Sequence, residues 1–311
     1  MSSSQSSREN EQWADWLLRA RFSGSPERER VLRADLRRDA DRLLDLARLD
    51  AGMTMLDVGS GDGLLALRAI ERIGPSLEVI ATDVSASLLR HASERAAERG
   101  VASQCVFLRC PAESLSLIED DSVDVVVARA VVGYLPDKPA VFREFLRVLK
   151  PGGRISLADP IRRDEAFETC SLKTLITTGG AEGVNPFFTL LHRWKATQFP
   201  DTEEAARQNP MTNFSERDLV SFAMNAGYTD IHMEFHIDVG TAKVNDWDVF
   251  LDSTPFPWAP TLRQLLSEAF TARERVLFEH ALRPQVIAGA MASADRIAYL
   301  SAMKPSVADH R

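Results

Sequence analysis

Hydrophobic and polar positions divide the chain into a helical beginning and an alternating middle. From Glu11 to Leu49, apolar residues recur at the three-to-four-residue spacing of helices, with one Ser-Gly-Ser-Pro break at residues 23–26. After Gly52, short apolar runs alternate with helical patterns. The predicted strands cover residues 53–58, 78–82, 104–109, 123–128 and 154–158, and the predicted helices cover residues 64–73, 86–99 and 139–149. This repetition predicts an α/β fold with a doubly wound parallel sheet, because parallel strands need crossover helices.

The same pattern predicts the organisation of the chain. In the last part, residues 229–239 alternate as a strand, residues 246–291 are helical, and residues 294–303 form one more strand. The helical beginning either packs against the core or covers a ligand, and Trp13 and Trp16 favour a lid. The predicted parts are a disordered tail (1–10), a helical lid (11–50), a ligand-binding core (51–158), a helical insertion serving as a substrate lid (159–212), and the rest of the sheet with a C-terminal helical insertion (213–311).

Composition and charge limit the classes of molecule that we expect this protein to bind. The formal net charge of −8 disfavours a polyanionic partner, so we expect no nucleic acid. Cys105, Cys110 and Cys170 are an odd number without CxxC spacing, which favours reduced thiols, a cytoplasmic protein and no metal site. The sequence has no apolar run of membrane-spanning length and begins with a polar segment rather than a secretion signal. We expect a monomer or homodimer that acts on a small molecule or a peptide.

A glycine-rich turn at residues 56–63 (LDVGSGDG) carries the first chemical signal. Glycines there allow a tight turn and close approach of a ligand, and the free N–H groups of the following helix favour an anion. The spacing differs from the Gly-x-Gly-x-x-Gly of dinucleotide sites, because Leu64 stands where the last glycine belongs. Asp57 adds a carboxylate that suits an ammonium group and not a pyrophosphate. The turn therefore predicts an amino acid joined to a nucleoside, bound by residues Asp57, Gly59, Ser60, Gly61 and Asp62.

This turn matches motif I of the class I S-adenosylmethionine-dependent methyltransferases, and further motifs follow in order. Asp83 ends the second predicted strand, where a carboxylate can accept hydrogen bonds from two ribose hydroxyls, and Val84 would lie against the adenine. Residues 110–115 (CPAESL) resemble an Asp-Ala-Glu-x-Leu segment of this superfamily. The resemblance implies that Ala112 and Glu113 meet the adenine edge, although Pro111 replaces the usual first acid.

The resemblance extends over residues 53–158, which look like the core of methyltransferases of ubiquinone/menaquinone biosynthesis. Its other motifs are residues 122–127 (SVDVVV) and 142–153 (FREFLRVLKPGG). The resemblance implies a seven-stranded Rossmann-like sheet of order 3-2-1-4-5-7-6, with an antiparallel seventh strand at residues 296–300. The whole chain also resembles a set of bacterial methyltransferases with a Trp-rich helical start and a segment like residues 258–262 (WAPTL).

Residues after the fourth predicted strand bear on the methyl acceptor. Arg129 could bind the methionine carboxylate of the cofactor, a carboxylate of the acceptor, or an internal acid such as Asp57. Tyr134 either lines the acceptor pocket or packs in the core. The segment lacks the Asn/Asp-Pro-Pro-aromatic turn of nucleobase methyltransferases.

A proton acceptor is harder to identify. His192 is our candidate because it lies in the predicted lid, although it could be an ordinary surface histidine. A carboxylate acceptor needs no base, and Arg162 and Arg193 could orient one, beside Trp13 and Trp16.

We therefore expect an enzyme that O-methylates a small molecule, or a carboxyl or hydroxyl group of a peptide, in specialised metabolism. The alternatives are C-methylation of a quinone-like or polyketide-like aromatic compound, and a non-catalytic protein that binds S-adenosylmethionine as a sensor or scaffold.

Overall fold

A computed structural model of the chain describes residues 3–179, 185–241 and 243–306, with only the backbone described for residues 3–9. It contains a seven-stranded sheet of order β3-β2-β1-β4-β5-β7-β6, in which β7 runs antiparallel to β5 and β6. This confirms the order and the antiparallel seventh strand. The strands are β1 (Thr54–Val58), β2 (Glu78–Asp83), β3 (Cys105–Arg109), β4 (Val123–Arg129), β5 (Leu149–Pro160), β6 (Thr229–Thr241) and β7 (Ala292–Met303).

Helices flank both faces of this sheet. Several begin with a side-chain cap that the sequence supplies locally, such as Ser85, whose Oγ accepts the Leu88 N–H, and the capping box of Ser215 and Asp218. The helices are α1 (Ser3–Leu18), α2 (Pro26–Ala47), α3 (Leu64–Ile73), α4 (Ala86–Glu98), α5 (Lys138–Val148), α6 (Arg163–Thr178), α7 (Pro186–Lys195), α8 (Glu203–Gln208), α9 (Glu216–Ala226), α10 (Trp247–Asp252), α11 (Leu262–Glu268) and α12 (Ala272–Ile287).

The central strands are buried on both faces, which explains their continuous apolar sequences. In β4, Val126 and Ala128 face the layer that contains α5 and α9, whereas Val125 and Val127 face the layer of α2 and α3. The core therefore has one apolar cluster on each side of the sheet.

The two predicted helical insertions form one layer. Leu190 of α7 shares a buried cluster with apolar residues of α10, α11 and α12. Arg193 of α7 also links the two insertions. Its guanidinium binds Glu274 at 2.8 Å and the Ala269 carbonyl, and it lies 4.4 Å from the Phe270 ring centroid. The sequence pattern predicts two separate insertions and does not indicate this contact between them.

Two boundaries differ from the expectations. Helix α1 starts at Ser3, so residues 3–10, which the sequence places in a disordered tail, form the beginning of this helix. The described residues do not include Met1 and Ser2 of that tail, residues 180–184 of the first insertion, or residues 307–311. Strand β5 runs to Pro160, so Asp159 ends a strand and does not open the insertion. Within the described ranges, no helix is long and apolar enough to cross a membrane.

Candidate active site

The turn after β1 takes a shape that requires its glycines. Gly59, Gly61 and Gly63 all have positive φ values, of 64°, 55° and 77°. A Cβ atom on Gly59 would lie 2.5 Å from Cγ2 of Val131, which follows β4. The turn therefore packs directly against the exit of the neighbouring strand, and the Ser60 N–H is fixed by the Thr82 carbonyl at 2.9 Å.

Asp57 is buried below this turn and only half of its carboxylate is satisfied. Asp57 is 1% exposed, and its Oδ2 accepts the Ala66 N–H at 3.1 Å. Oδ1 is buried without a hydrogen-bond partner among the described residues. Burial raises the pKa of Asp57 to about 8, with nearby Asp83 adding to the rise and the Ala66 N–H opposing it. An unpaired buried acceptor of this kind is costly unless a ligand donor reaches it.

Asp83 stands beside the same turn at the end of β2. Its Oδ2 accepts the Gly61 N–H at 3.0 Å and its Oδ1 accepts the Ser85 N–H at 2.8 Å. Burial raises its pKa, and these backbone N–H groups hold the carboxylate in place. Because a carboxylate has about four acceptor positions, Asp83 keeps capacity for further donors. Val84, the next residue, is 42% exposed and leaves an apolar surface beside it.

The remaining predicted donor-side residues lie at the same edge of the sheet. Ala112 is buried and Glu113 is half-buried in the segment after β3, which pairs with β2 through Asp83 and Arg109. Thus β1, β2 and β3 bring the three motif segments that follow them to one edge of the sheet, because the carboxyl ends of parallel strands share one edge.

Asp62, the last polar residue of the turn, is surrounded by arginines. Its carboxylate lies 3.3 Å from Arg95, 3.6 Å from Arg33 and 3.9 Å from Arg21. Arg21, which no sequence pattern indicated, is buried and has an Nε without a partner among the described residues. Burial lowers the pKa of Arg21 to about 10, and the charge of Arg129 contributes to that decrease.

Arg129 ends β4 close to these groups but has no ion-pair partner within 4 Å among the described residues. It therefore does not form the internal pair with Asp57 that was one of three alternatives, although its charge lowers the pKa of that carboxyl group. The next residue, Ala130, has a φ of 54°, which is uncommon for a residue other than glycine. A free guanidinium before a strained backbone position marks this strand exit as a candidate ligand site.

Aromatic side chains from three distant parts of the chain meet above the β4 exit. The Trp13 ring centroid lies 5.0 Å from Tyr134, 5.8 Å from Trp16 and 5.9 Å from Trp258, each edge to face. Trp258 stacks on Phe256 at 4.7 Å, and Trp16 Nε1 donates to the Thr254 carbonyl at 3.0 Å. We call Trp13, Trp16, Tyr134, Phe256 and Trp258 the aromatic cluster.

Asp159 is a second residue that the sequence analysis missed. It is completely buried at the end of β5, where Oδ1 accepts the Gly133 N–H at 2.9 Å and Oδ2 has no partner among the described residues. Arg162, just beyond, binds Glu165 at 3.0 Å and lies 6.0 Å from the Phe256 ring centroid. A polar residue at the end of the predicted fifth strand was the signal that could have identified Asp159.

His192 and Arg193 occupy the helical layer. His192 Nε2 lies 3.2 Å from Asp201, which also binds Lys173 at 2.9 Å, and Arg193 holds α7 to Glu274. A catalytic role for His192 and a substrate role for Arg193 stay predictions. In the part of the chain that the structure describes, no group of three His, Cys, Asp or Glu residues could hold a metal ion.

The fold and this edge of the sheet define a class of protein. A 3-2-1-4-5-7-6 sheet with a glycine turn after β1, a half-satisfied buried acid and an oriented acid after β2 fits S-adenosylmethionine, because the ligand offers an ammonium group, a ribose and an adenine. The core of this chain has the fold of the class I S-adenosylmethionine-dependent methyltransferases, and the residues at this edge of its sheet suit S-adenosylmethionine as the cofactor.

Comparison with known proteins agrees with this class. Residues 49–194 match the family described as a methyltransferase domain. Nocamycin O-methyltransferase from Saccharothrix syringae is 38% identical over 122 residues, which cover 39% of this chain and 43% of that protein. The ubiquinone/menaquinone biosynthesis C-methyltransferase of Pseudomonas putida is 33% identical over 116 residues, 37% of this chain and 45% of that protein. The chain thus spans less than half the length of these curated relatives.

Solved structures support the fold. The YcgJ protein from Bacillus subtilis superposes with a TM-score of 0.53 at 18% sequence identity, over 86% of this chain and 99% of that one. The similarity extends well beyond the matched family segment.

Proposed function

We propose that this protein transfers the methyl group of S-adenosylmethionine to an oxygen atom of a small molecule, or to a hydroxyl or carboxyl group of a peptide, in specialised metabolism. The observation that carries this proposal is the division of one sheet edge into two halves. Residues that suit the donor lie after β1, β2 and β3 and, with Arg129, at the end of β4, whereas Tyr134 follows β4 as part of the aromatic cluster and Asp159 lies near the end of β5. The similarity to an O-methyltransferase from Saccharothrix syringae supports oxygen as the acceptor.

On the donor half, we assign each contact by chemistry. Asp57 Oδ1 accepts from the ammonium group of the cofactor, and Asp83 accepts from its ribose hydroxyls. Val84, Ala112 and Glu113 contact the adenine. S-Adenosylmethionine, when bound, supplies a methyl group that its sulfonium sulfur activates for transfer.

Two arginines provide the counter-charge for the carboxylate of the cofactor. Arg21 and Arg129 lie close enough for Arg129 to lower the pKa of Arg21. Arg21 Nε has no hydrogen-bond partner and Arg129 has no ion-pair partner among the described residues, and a guanidinium forms strong charge-assisted hydrogen bonds with a carboxylate. Binding an anion there relieves their mutual repulsion.

On the acceptor half, α1 and the segment around Trp258 enclose the site. Leu17 of α1 lies 3.8 Å from the position of a Cβ atom on Gly61, and Asn10 Nδ2 donates to the Val84 carbonyl at 3.4 Å. Helix α1 therefore covers the donor turn and carries Trp13 and Trp16 to the acceptor half. This arrangement excludes water from the transfer, which prevents loss of the methyl group to solvent.

The test is methyl transfer from S-adenosylmethionine labelled in its methyl group. Small-molecule phenols, carboxylic acids and peptides serve as acceptors, and products are separated by whether base releases the label as methanol. Label in an ester or ether supports the proposal. Asp83→Ala is expected to weaken binding of S-adenosylhomocysteine, measured by calorimetry, whereas Asp238→Ala on the exposed end of β6 is the matched control.

C-Methylation is the second candidate, because a match of similar strength leads to a C-methyltransferase of quinone biosynthesis. Label that resists base and resides on ring carbon would replace our proposal with this one. Tight binding of S-adenosylhomocysteine without transfer to any acceptor would instead favour a sensor.

A further inference from the structure

Asp159, the acid near the end of β5, takes part in none of the cofactor contacts proposed above. Asp159 is fully buried, yet one of its oxygens lacks a partner among the described residues while the other holds the Gly133 N–H. The adjacent residue, Tyr134, belongs to the aromatic cluster. Asp159 thus has one fixed and one free oxygen, and it lies close enough to Tyr134 for its charge to add to the rise that burial causes in the pKa of Tyr134, which is an arrangement that suits a proton acceptor.

We propose that Asp159 receives the proton of a hydroxyl group on a planar, unsaturated acceptor that lies against Tyr134, Trp13 and Trp258. This inference rests on the proposed O-methyltransferase function and restricts its substrate class. It selects hydroxyl over carboxyl groups, because only a neutral hydroxyl needs a base at neutral pH.

The shape of the acceptor follows from the aromatic cluster. The Tyr134 ring lies 5.0 Å from Trp13 and 6.4 Å from Trp258, and Trp258 is 46% exposed although one neighbour stacks on it. Ring pairs at such distances attract each other beyond the area they bury, which favours a flat guest. A conjugated ring also lowers the pKa of its own hydroxyl group, which eases proton removal.

The transfer step balances in atoms and charge. The hydroxyl oxygen forms a bond to the methyl carbon, the carbon–sulfur bond of the sulfonium donor breaks with its electron pair going to sulfur, and the hydroxyl proton passes to Asp159 Oδ2. The products are a neutral ether, a neutral thioether and a protonated carboxyl group, which later returns its proton to solvent.

The surroundings of Asp159 match this role. Burial raises the pKa of Asp159 to about 6, while the Gly133 N–H and the charge of Lys138 oppose the rise. The groups facing it are Lys138 from α5, Arg129 from β4, Tyr134 after β4 and the backbone N–H groups of Val131 and Gly133. A carboxyl group with this pKa is ionised at neutral pH and is a stronger base than an exposed carboxylate.

The experiment compares 1-naphthol with 1-naphthoic acid, which share a ring and differ in the acceptor group. We expect the 311-residue chain to transfer label from S-adenosylmethionine to 1-naphthol and not to 1-naphthoic acid. Asp159→Asn, which keeps an oxygen for the Gly133 N–H, is expected to lower kcat by ~10²–10⁴-fold with KM unchanged. The wild-type rate is expected to fall as the pH drops through about 6, and the variant is expected to lack this dependence.

Binding provides a readout that does not depend on turnover. In the presence of S-adenosylhomocysteine, Asp159→Asn is expected to bind 1-naphthol as the wild type does, whereas Trp13→Ala weakens binding by roughly 3- to 10-fold. Asp124→Asn, a strand carboxylate at the opposite edge of the sheet bonded to Lys150, is the matched control and keeps kcat. Urea unfolding of each variant separates lost folding from lost catalysis.

The outcomes distinguish the two proposals. Methylation of 1-naphthoic acid but not 1-naphthol, or a wild-type kcat and pH profile in Asp159→Asn, overturns the role of Asp159 and leaves O-methylation standing. Binding of S-adenosylhomocysteine without transfer to 1-naphthol overturns the planar hydroxyl class. Label found only on carbon overturns the proposed function itself.

Discussion

Replacement of Gly59 by alanine tests the contact between the donor turn and the acceptor strand. The added Cβ would lie 2.5 Å from Val131 Cγ2, in a backbone conformation with a φ of 64°. The left-handed backbone costs roughly 1–2 kcal/mol for a residue with a Cβ. Forcing a methyl group into this tight contact adds about 1–3 kcal/mol. We therefore expect Gly59→Ala to lower the free energy of unfolding by roughly 2–5 kcal/mol.

Gly152 provides a matched control for the backbone cost. It also has a positive φ, of 81°, but a Cβ there meets nothing within 4 Å. Gly152→Ala should therefore cost only the conformational part, about 1–2 kcal/mol. Urea unfolding of both variants measures the difference, and calorimetry with S-adenosylhomocysteine measures the loss of cofactor binding, which we expect for Gly59→Ala alone.

The double variant Gly59→Ala with Val131→Ala separates the clash from other causes. Removing the Val131 methyl groups eliminates the atom at 2.5 Å, so the combined loss should be smaller than the sum of the single losses. Equal losses for Gly59→Ala and Gly152→Ala, or strict additivity in the double variant, would refute the reasoning.

Three further predictions concern charged groups. Burial raises the pKa of Asp57 to about 8, so the stability that its protonated form contributes is lost as pH rises through that value. Asp57→Asn should therefore flatten the decrease in unfolding free energy between about pH 5 and pH 8. An unchanged slope of unfolding free energy against pH, measured in urea titrations, would contradict this. The Arg42 hydrogen bonds lower the pKa of Glu234 to about 2, so the ionised Glu234 stabilises the wild type at neutral pH and this stabilisation is lost as pH falls toward 2. Glu234→Gln should therefore lower the free energy of unfolding at neutral pH by about 0.5–1 kcal/mol. Arg129→Leu should bind S-adenosylhomocysteine roughly 10- to 100-fold more weakly in calorimetry without losing unfolding free energy, because Arg129 lacks an internal partner; a lower unfolding free energy would point to a structural role.

Much of the donor half could be predicted because its signals are local. The glycines, Asp57 and Asp83 lie at strand ends, and a strand end in a parallel sheet fixes the edge on which a residue lies. The continuous apolar sequence of β4 predicted burial on both faces, and the alternation of Val125 and Val126 between two core clusters confirms it.

The acceptor half could not be predicted in the same way. Trp13, Tyr134 and Trp258 are far apart in sequence, and nothing in the local pattern of one indicates the others. Asp159 was assigned to an insertion because a strand boundary is poorly determined by periodicity alone. The substrate role expected for Arg193 stays a prediction, and the contacts of Arg193 between two helical insertions were not indicated by the sequence.

By itself, the sequence predicted the alternation of strands and helices and the class of cofactor, because strand patterns, glycine turns and terminal acids act over a few residues, and its resemblance to a known family implied the strand order. Tertiary structure alone decided which side chains face the acceptor. Helix α1 and the segment around Trp258 meet above the exit of β4, where Asp159 is buried with one unpartnered oxygen and Arg129 has no ion-pair partner among the described residues. Long-range packing creates that environment, and no local pattern encodes it.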